Sequence, residues 1–110
     1  MNKKESAFQS ALIKKIKAMF PGCVVLKNDG SNKPAGFPDL TVLFANGAWA
    51  ELECKRESNA SKRPLQDYYV EKLNGMGYSR FVYPENEEEV LSDLQQTFGT
   101  GRKTCNPGSE

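Results

Sequence analysis

The dipeptide Asn46-Gly47 lies between two runs of strand-forming residues, and this constrains the chain more than any other feature. Leu40-Thr41-Val42-Leu43-Phe44 precedes it, and residues 48–55, AWAELECK, follow it. Asn-Gly between alternating apolar residues is the strongest short-range hairpin signal, because both residues tolerate the positive φ of a tight turn. The centre of the chain is therefore expected to be two antiparallel strands joined by a two-residue turn. Such a turn pairs residue 45 with residue 48. The continued register sets Asp39 opposite about residue 54, within a residue or two.

Other elements follow from periodicity. Phe8, Leu12, Ile16 and Met19 form one apolar stripe over residues 5–20, and Pro21-Gly22 ends that helix. Cys23-Val24-Val25-Leu26 reads as a short strand, and residues 28–38, NDGSNKPAGFP, as a polar loop. After the hairpin, residues 56–63 form a second polar loop and Pro64 opens a helix. Leu65, Tyr69, Leu73 and Met76 give that helix its apolar stripe, and Gly75 and Gly77 mark its end. Arg80-Phe81-Val82-Tyr83 is a fourth strand. A last helix covers 86–97, with Val90, Leu91 and Leu94 inward and acids in its first turn, where the helix dipole favours them. Residues 99–110 carry no apolar pattern and are expected to be a frayed tail. The order is α-β-β-β-α-β-α. It predicts an α/β fold, a mixed sheet flanked by helices, in a single domain over residues 1–98.

Composition then removes whole classes of function. At 110 residues, with 38% hydrophobic and 26% charged, the chain suits one globular domain. No run approaches the roughly 18 apolar residues of a membrane-spanning helix, and the N-terminus lacks the apolar centre of a secretory signal. A cytoplasmic location without a membrane partner is expected. Cys23, Cys54 and Cys105 are odd in number and far apart, which fits neither a disulfide framework nor a zinc pattern. They read as reduced thiols, with Cys54 pointing into the core. Histidine is absent, which excludes Ser-His-Asp hydrolysis and His-based phosphoryl transfer. Hydrolytic chemistry here must use carboxylates, lysine and a metal held by oxygen. The net charge of +1 says nothing about nucleic acid. Lysines 3, 4, 14, 15 and 17 against a lone Glu5 fit either a phosphate-attracting end or a solvated helix face.

The strand after the turn carries the chemistry. Side chains alternate faces along a strand, so Trp49, Glu51, Glu53 and Lys55 share one face while Ala50, Leu52 and Cys54 share the core face. Asp39 begins the preceding strand and is brought near Glu53 and Lys55. Two close carboxylates repel unless positive charge lies between them. Mg²⁺ meets that need with one or two carboxylates plus substrate phosphate, and Lys55 is in reach of a water or a phosphate oxygen. This is the arrangement that metal-assisted phosphodiester hydrolysis requires.

Gly36-Phe37-Pro38-Asp39, thirteen residues, then Glu53-Cys54-Lys55 resembles the PD-(D/E)xK nuclease motif. With Glu5 in the first helix and Gln66 in PLQDYY, residues 5–83 resemble the VRR-NUC group, the virus-type replication-repair nucleases, in a stand-alone form like that of phages. The resemblance implies a restriction-endonuclease-like fold and a DNA endonuclease using Mg²⁺ or Mn²⁺, acting on branched DNA such as Holliday junctions. It implies Asp39 and Glu53 as metal ligands, joined by the Cys54 backbone carbonyl, and Glu5 as a carboxylate that binds the metal through water. It implies that Lys55 orients the attacking water and stabilises the transition state, and that Gln66 supports the site. Glu51 departs from the pattern as an extra acid on the same face, able to replace or assist Glu53 or Glu5.

Plainer readings stand beside these. Glu5 also suits a helix N-terminus, although its helical angle falls within the apolar stripe. Gln66 also suits an ordinary first turn, Phe37 and Trp49 suit packing, and Lys62 and Arg63 suit either phosphate binding or a solvated loop. The other functions weighed are a DNA-binding module of the same fold without catalysis and a site-specific restriction-type endonuclease cutting duplex. A four-way junction needs two cuts, which a two-fold homodimer supplies. Tyr68, Tyr69 and Val70 on the 65–76 helix cannot all face one core, and that helix is the candidate contact.

Overall fold

A computed structural model describes residues 3–29 and 32–99. The chain runs α1 (Lys3–Met19), β1 (Val24–Lys27), β2 (Leu40–Leu43), β3 (Trp49–Cys54), α2 (Pro64–Met76), β4 (Ser79–Val82) and α3 (Glu87–Leu94), followed by a π-helical turn, Gln95–Gly99. The expected order is the observed one. The expected tail lies, beyond Gly99, outside the described residues, and so does Cys105.

The four strands form one sheet in the order β1-β2-β3-β4. β2 is antiparallel to β1 and β3, and β4 is parallel to β3. A parallel neighbour requires a crossover, and α2 supplies it between β3 and β4. The core lies on one face of the sheet. There Leu40, Val42, Ala50, Leu52, Cys54 and Val82 meet Leu12 and Ile16 of α1 and Val90 and Leu94 of α3. The π-helical turn completes this layer: the Phe98 ring stacks on Phe44 at 4.6 Å and meets Tyr78 edge-on at 5.6 Å. All five of the lysines near the N-terminus are exposed, and Lys15 pairs with Glu87 of α3 at 2.9 Å. Exposure of this run agrees with both readings of it.

The hairpin differs from expectation by one residue, and the difference decides where the site forms. The Phe44 N–H donates to the Ala48 carbonyl and the Gly47 N–H to the Phe44 carbonyl, both at 2.9 Å. The turn therefore holds three residues, Ala45, Asn46 and Gly47, with Gly47 left-handed at φ 94°. A three-residue loop with its last residue in this conformation is the next most common hairpin solution. Leu43 faces Trp49 and Leu40 faces Leu52. One step further, Asp39 faces Glu53, not residue 54. Because faces alternate, the shift of one moves the Asp39 side chain from the core face to the face of Glu53 and Lys55.

The second helix also departs from expectation. The stripe Leu65, Tyr69, Leu73, Met76 is not its buried side, for Leu65 is 49% and Met76 65% exposed. The half-buried side is Gln66, Tyr69, Val70 and Leu73, rotated by one position. The reason is what α2 covers. It packs over the polar face of β3, away from the core, so a glutamine belongs on its inner side. β3 is thus buried on both faces from Ala50 to Cys54.

Gly47 isolates a backbone effect, because a Cβ added there would meet nothing within 4 Å. Gly47→Ala is expected to destabilise the fold by about 1–2 kcal/mol through its left-handed backbone alone. Urea unfolding should record a lower midpoint at an unchanged slope.

Candidate active site

β2 begins at Leu40, and the backbone ladder to β3 stops at the Leu40–Leu52 pair. The Asp39 side chain extends the ladder by one rung: its Oδ2 accepts the Cys54 N–H at 3.0 Å. This fixes the Asp39 carboxylate beside the end of β3, where Glu53 and Lys55 emerge on the same face. Both are almost wholly buried, Glu53 at 3% and Lys55 at 7% exposure.

Gln66 joins these two. The Lys55 Nζ donates to Gln66 Oε1 at 2.8 Å, and Gln66 Nε2 donates to Glu53 Oε2 at 2.9 Å. Gln66 is also the third residue of α2, and its Oε1 accepts the Arg63 N–H at 3.0 Å while its own N–H donates to the Arg63 carbonyl at 2.9 Å. The bond from the Arg63 N–H to the Gln66 side chain is the half of a capping box that the third helical residue supplies, and the other bond is a tight backbone turn. One side chain therefore begins α2 and ties the ammonium to the carboxylate. It is more than an ordinary first-turn residue.

The electrostatics follow from burial. Glu53 is pushed up to about 8, first by burial and then by the Asp39 charge, against the pull of Lys55 and Lys33. Asp39 is also raised, by burial, with the Cys54 N–H and Lys33 opposing and Glu5 adding to the rise. Glu53 Oε1 is buried with no hydrogen-bond partner. Such an atom costs free energy unless something positive meets it. Two adjacent carboxylates, one with an unsatisfied buried oxygen, fit an oxygen-seeking divalent cation. Among the described residues no group of three or more His, Cys, Asp or Glu side chains is placed to hold a metal ion. The carboxylates that come together in the cleft with the largest upward shifts are Asp39 and Glu53.

The remaining expected residues are accounted for individually. Glu5 lines the same polar cleft as Asp39, Glu53, Lys55 and Gln66, and its charge raises both members of the pair. Glu51 is buried on the site face but does not line the cleft. Its carboxylate takes the Thr41 hydroxyl at 2.7 Å, and Thr41 in turn accepts from Asn28 Nδ2 at 2.8 Å. Asn28 Nδ2 also reaches the Pro38 carbonyl at 3.1 Å, so this chain of bonds braces the residue before Asp39. Cys54 faces the core, as expected, and its thiol is raised by burial.

Several residues carry no sequence signal. Lys33, within the polar loop, lines the cleft with Asp39 and Glu53 and donates to the Phe37 carbonyl at 3.1 Å. Arg56 and Asn28 line it too. Gln9 is 3% exposed and its side chain hydrogen-bonds the Cys54 sulfur.

Glu53 gives the metal-free protein a pH-dependent stability. Unfolded, its carboxyl ionises near 4.5, and folded at about 8, so the folded state holds an extra proton between these values. The contribution is complete below about 4.5 and is lost as pH rises to about 8. Stability is expected to fall over this window by up to about 1.4 kcal/mol per pH unit. Glu53→Gln should flatten that slope in urea unfolding followed from pH 5 to pH 9.

Two solved structures share this architecture. One, described as "VRR_NUC domain", matches with a TM-score of 0.67 over 83% of this chain and 97% of its own, at 20% identity. A second, "VRR_NUC domain protein", matches at 0.67 over 90% and 91%, at 23% identity. No family model matches the sequence, and no curated protein matches it. At these identities the likeness is one of fold. It agrees with what Gly36–Asp39 and Glu53–Lys55 implied: this chain has the fold of the VRR_NUC domains.

Proposed function

We propose that this protein is a metal-dependent DNA endonuclease that hydrolyses phosphodiester bonds, with Asp39, Glu53 and Lys55 at its centre. The observation that carries the reading is the Asp39–Glu53 pair in an open cleft, with Glu53 Oε1 buried and without a partner. A structural ion pair would leave no such atom. Lys55 reaches Glu53 only through the Gln66 amide, so its charge is kept for something else in the cleft.

Asp39 and Glu53 would hold Mg²⁺ or Mn²⁺, with the Cys54 carbonyl as a further ligand. Strand alternation turns that carbonyl to the same side of β3 as the Cys54 N–H that Asp39 binds. Hard oxygen donors favour these ions over zinc. When bound, the ion supplies the Lewis acidity that phosphodiester hydrolysis needs. Lys55 offers its ammonium to the scissile phosphate and to the water that attacks it, and stabilises charge that builds on the phosphoryl oxygens. Gln66 orients Lys55 and Glu53 together. Glu5, on the cleft wall, would add a carboxylate that binds the ion through water. Lys33, Arg56 and Arg63 line the cleft and offer cations to the DNA backbone.

The substrate we assign is branched DNA, and the working form a homodimer in the cytoplasm. Among the described residues no helix is long and apolar enough to cross a membrane. Tyr68 and Met76 stand outward on α2, 51% and 65% exposed, while Tyr69 turns inward. That outer side of α2 is the proposed contact.

Asp39→Ala, Glu53→Ala and Lys55→Ala are each expected to lower cleavage of labelled four-way DNA at least about a hundredfold, with binding largely kept. Ca²⁺ should support binding without turnover. Wild-type cutting by the Lys55 variant, or strong cutting in EDTA, would overturn the assignment. For the dimer, light scattering at micromolar concentration should give twice 12.3 kDa. A mass of 12.3 kDa alongside paired incisions would contradict it.

A further inference from the structure

The carboxylate pair belongs to two adjoining clefts of different character. One is polar, with Asn28, Asp29, Arg56 and Ser61 on its walls. The other, of about 580 Å³, is largely apolar and is walled by Ala35, Phe37, Pro64 and Leu65. Lys33, Arg63 and Gln66 border both. Phosphodiester chemistry accounts for the polar cleft. It does not account for an apolar one opening on the same two carboxylates.

We infer that the apolar cleft takes a nucleobase, unstacked from its neighbours, beside the phosphate held at Asp39 and Glu53. This rests on the endonuclease reading and adds a specific subsite to it. A nucleotide is the ligand whose own structure matches the pair of clefts: an anionic backbone for Lys33 and Arg63, and a flat apolar base one sugar away. The volume suits it, since small-ligand sites run from roughly 300 to 1,000 Å³. Phe37 is braced from behind by Tyr69, edge-on at 5.6 Å, which holds its half-buried ring at the cleft wall. The cleft is also pre-formed. Gly36, at φ 84°, lies so close to Leu65 that an added Cβ would come within 2.5 Å of the Leu65 Cβ and 2.7 Å of its backbone. The Phe37 loop and the start of α2 are therefore locked together, and binding need not order them.

The chemical consequence concerns substrate class. A base inside a regular duplex is stacked and does not reach such a cleft without being extruded, whereas an unpaired nucleotide at a flap or branch does. Stacking on an aromatic ring is tolerant of sequence, because every base has a π-face. The subsite thus selects unpaired structure without reading sequence.

The test uses the whole chain, in Ca²⁺, with two small probes: thymidine 3′,5′-bisphosphate and the same sugar bisphosphate without a base. Calorimetry should give the thymidine compound about fivefold or greater tighter binding, and amide resonances of Ala35, Phe37 and Leu65 should shift with it alone. Phe37→Leu should remove the preference while leaving the baseless compound unaffected, and Phe37→Tyr should retain it. Equal affinities, binding of neither probe, or a preference that survives Phe37→Leu would each overturn the proposal. Preference for the base in a protein that cuts no DNA would uphold the subsite and defeat the endonuclease reading instead.

Discussion

The hydrogen bond from the Cys54 N–H to Asp39 Oδ2 is where fold and site become one thing. It continues the β2–β3 ladder past the start of β2 with a side chain, and so fixes a carboxylate where only backbone would otherwise be. The three-residue turn at Ala45–Gly47 makes this possible, because it alone sets Asp39 on the face of Glu53. The result is a buried carboxyl, Glu53, beside a half-buried one, Asp39, with both raised above their ordinary range. A fold does not keep such a pair for stability, since burying charge costs more than exposed pairing returns. Sites that shift ionisation in this way are concentrated where proteins bind or react.

The second helix makes the crowding tolerable. It covers the polar face of β3 and leaves Glu53 and Lys55 little exposed, yet none of its own side chains is buried. Gln66 is the reason this arrangement holds. The amide is neutral, so it bonds the Lys55 ammonium and the Glu53 carboxyl together without neutralising Lys55. Because the same amide caps α2, the helix cannot shift without disturbing the site, and the site cannot lose Gln66 without loosening the helix. Two further side chains, Asn28 and Thr41, brace the loop that carries Asp39 from the other side, and Glu51 is tied up in that bracing.

Much of this was legible in the residues, and what was not has a physical explanation. Element order followed from periodicities and punctuation, and the core face of β3 from strict alternation. Asp39, Glu53, Lys55 and Gln66 carried a spacing pattern, and the structure brings all four to one cleft. The exact turn was not legible, because Asn-Gly serves two-residue and three-residue hairpins alike. The inner side of α2 was misread by one position, since apolar periodicity marks the core and α2 faces a polar surface instead. The parallel pairing of β4 and the place of Lys33 depend on tertiary packing that no local window contains. Glu51 looked like a rival ligand, and its bond to Thr41 and its place outside the cleft lining separate it from the pair.

We propose that the pair at Asp39 and Glu53 exists to hold a divalent cation. At neutral pH the folded protein keeps Glu53 protonated, because its carboxyl ionises at about 8. A cation that enters must displace that proton. Calorimetric titration with Mn²⁺ at pH 7, in two buffers of different ionisation enthalpy, measures the exchange directly. The account predicts a saturable site that releases about one proton per ion, with both binding and release abolished by Asp39→Asn. Absence of Mn²⁺ binding, or binding without proton release that survives Asp39→Asn, would contradict it.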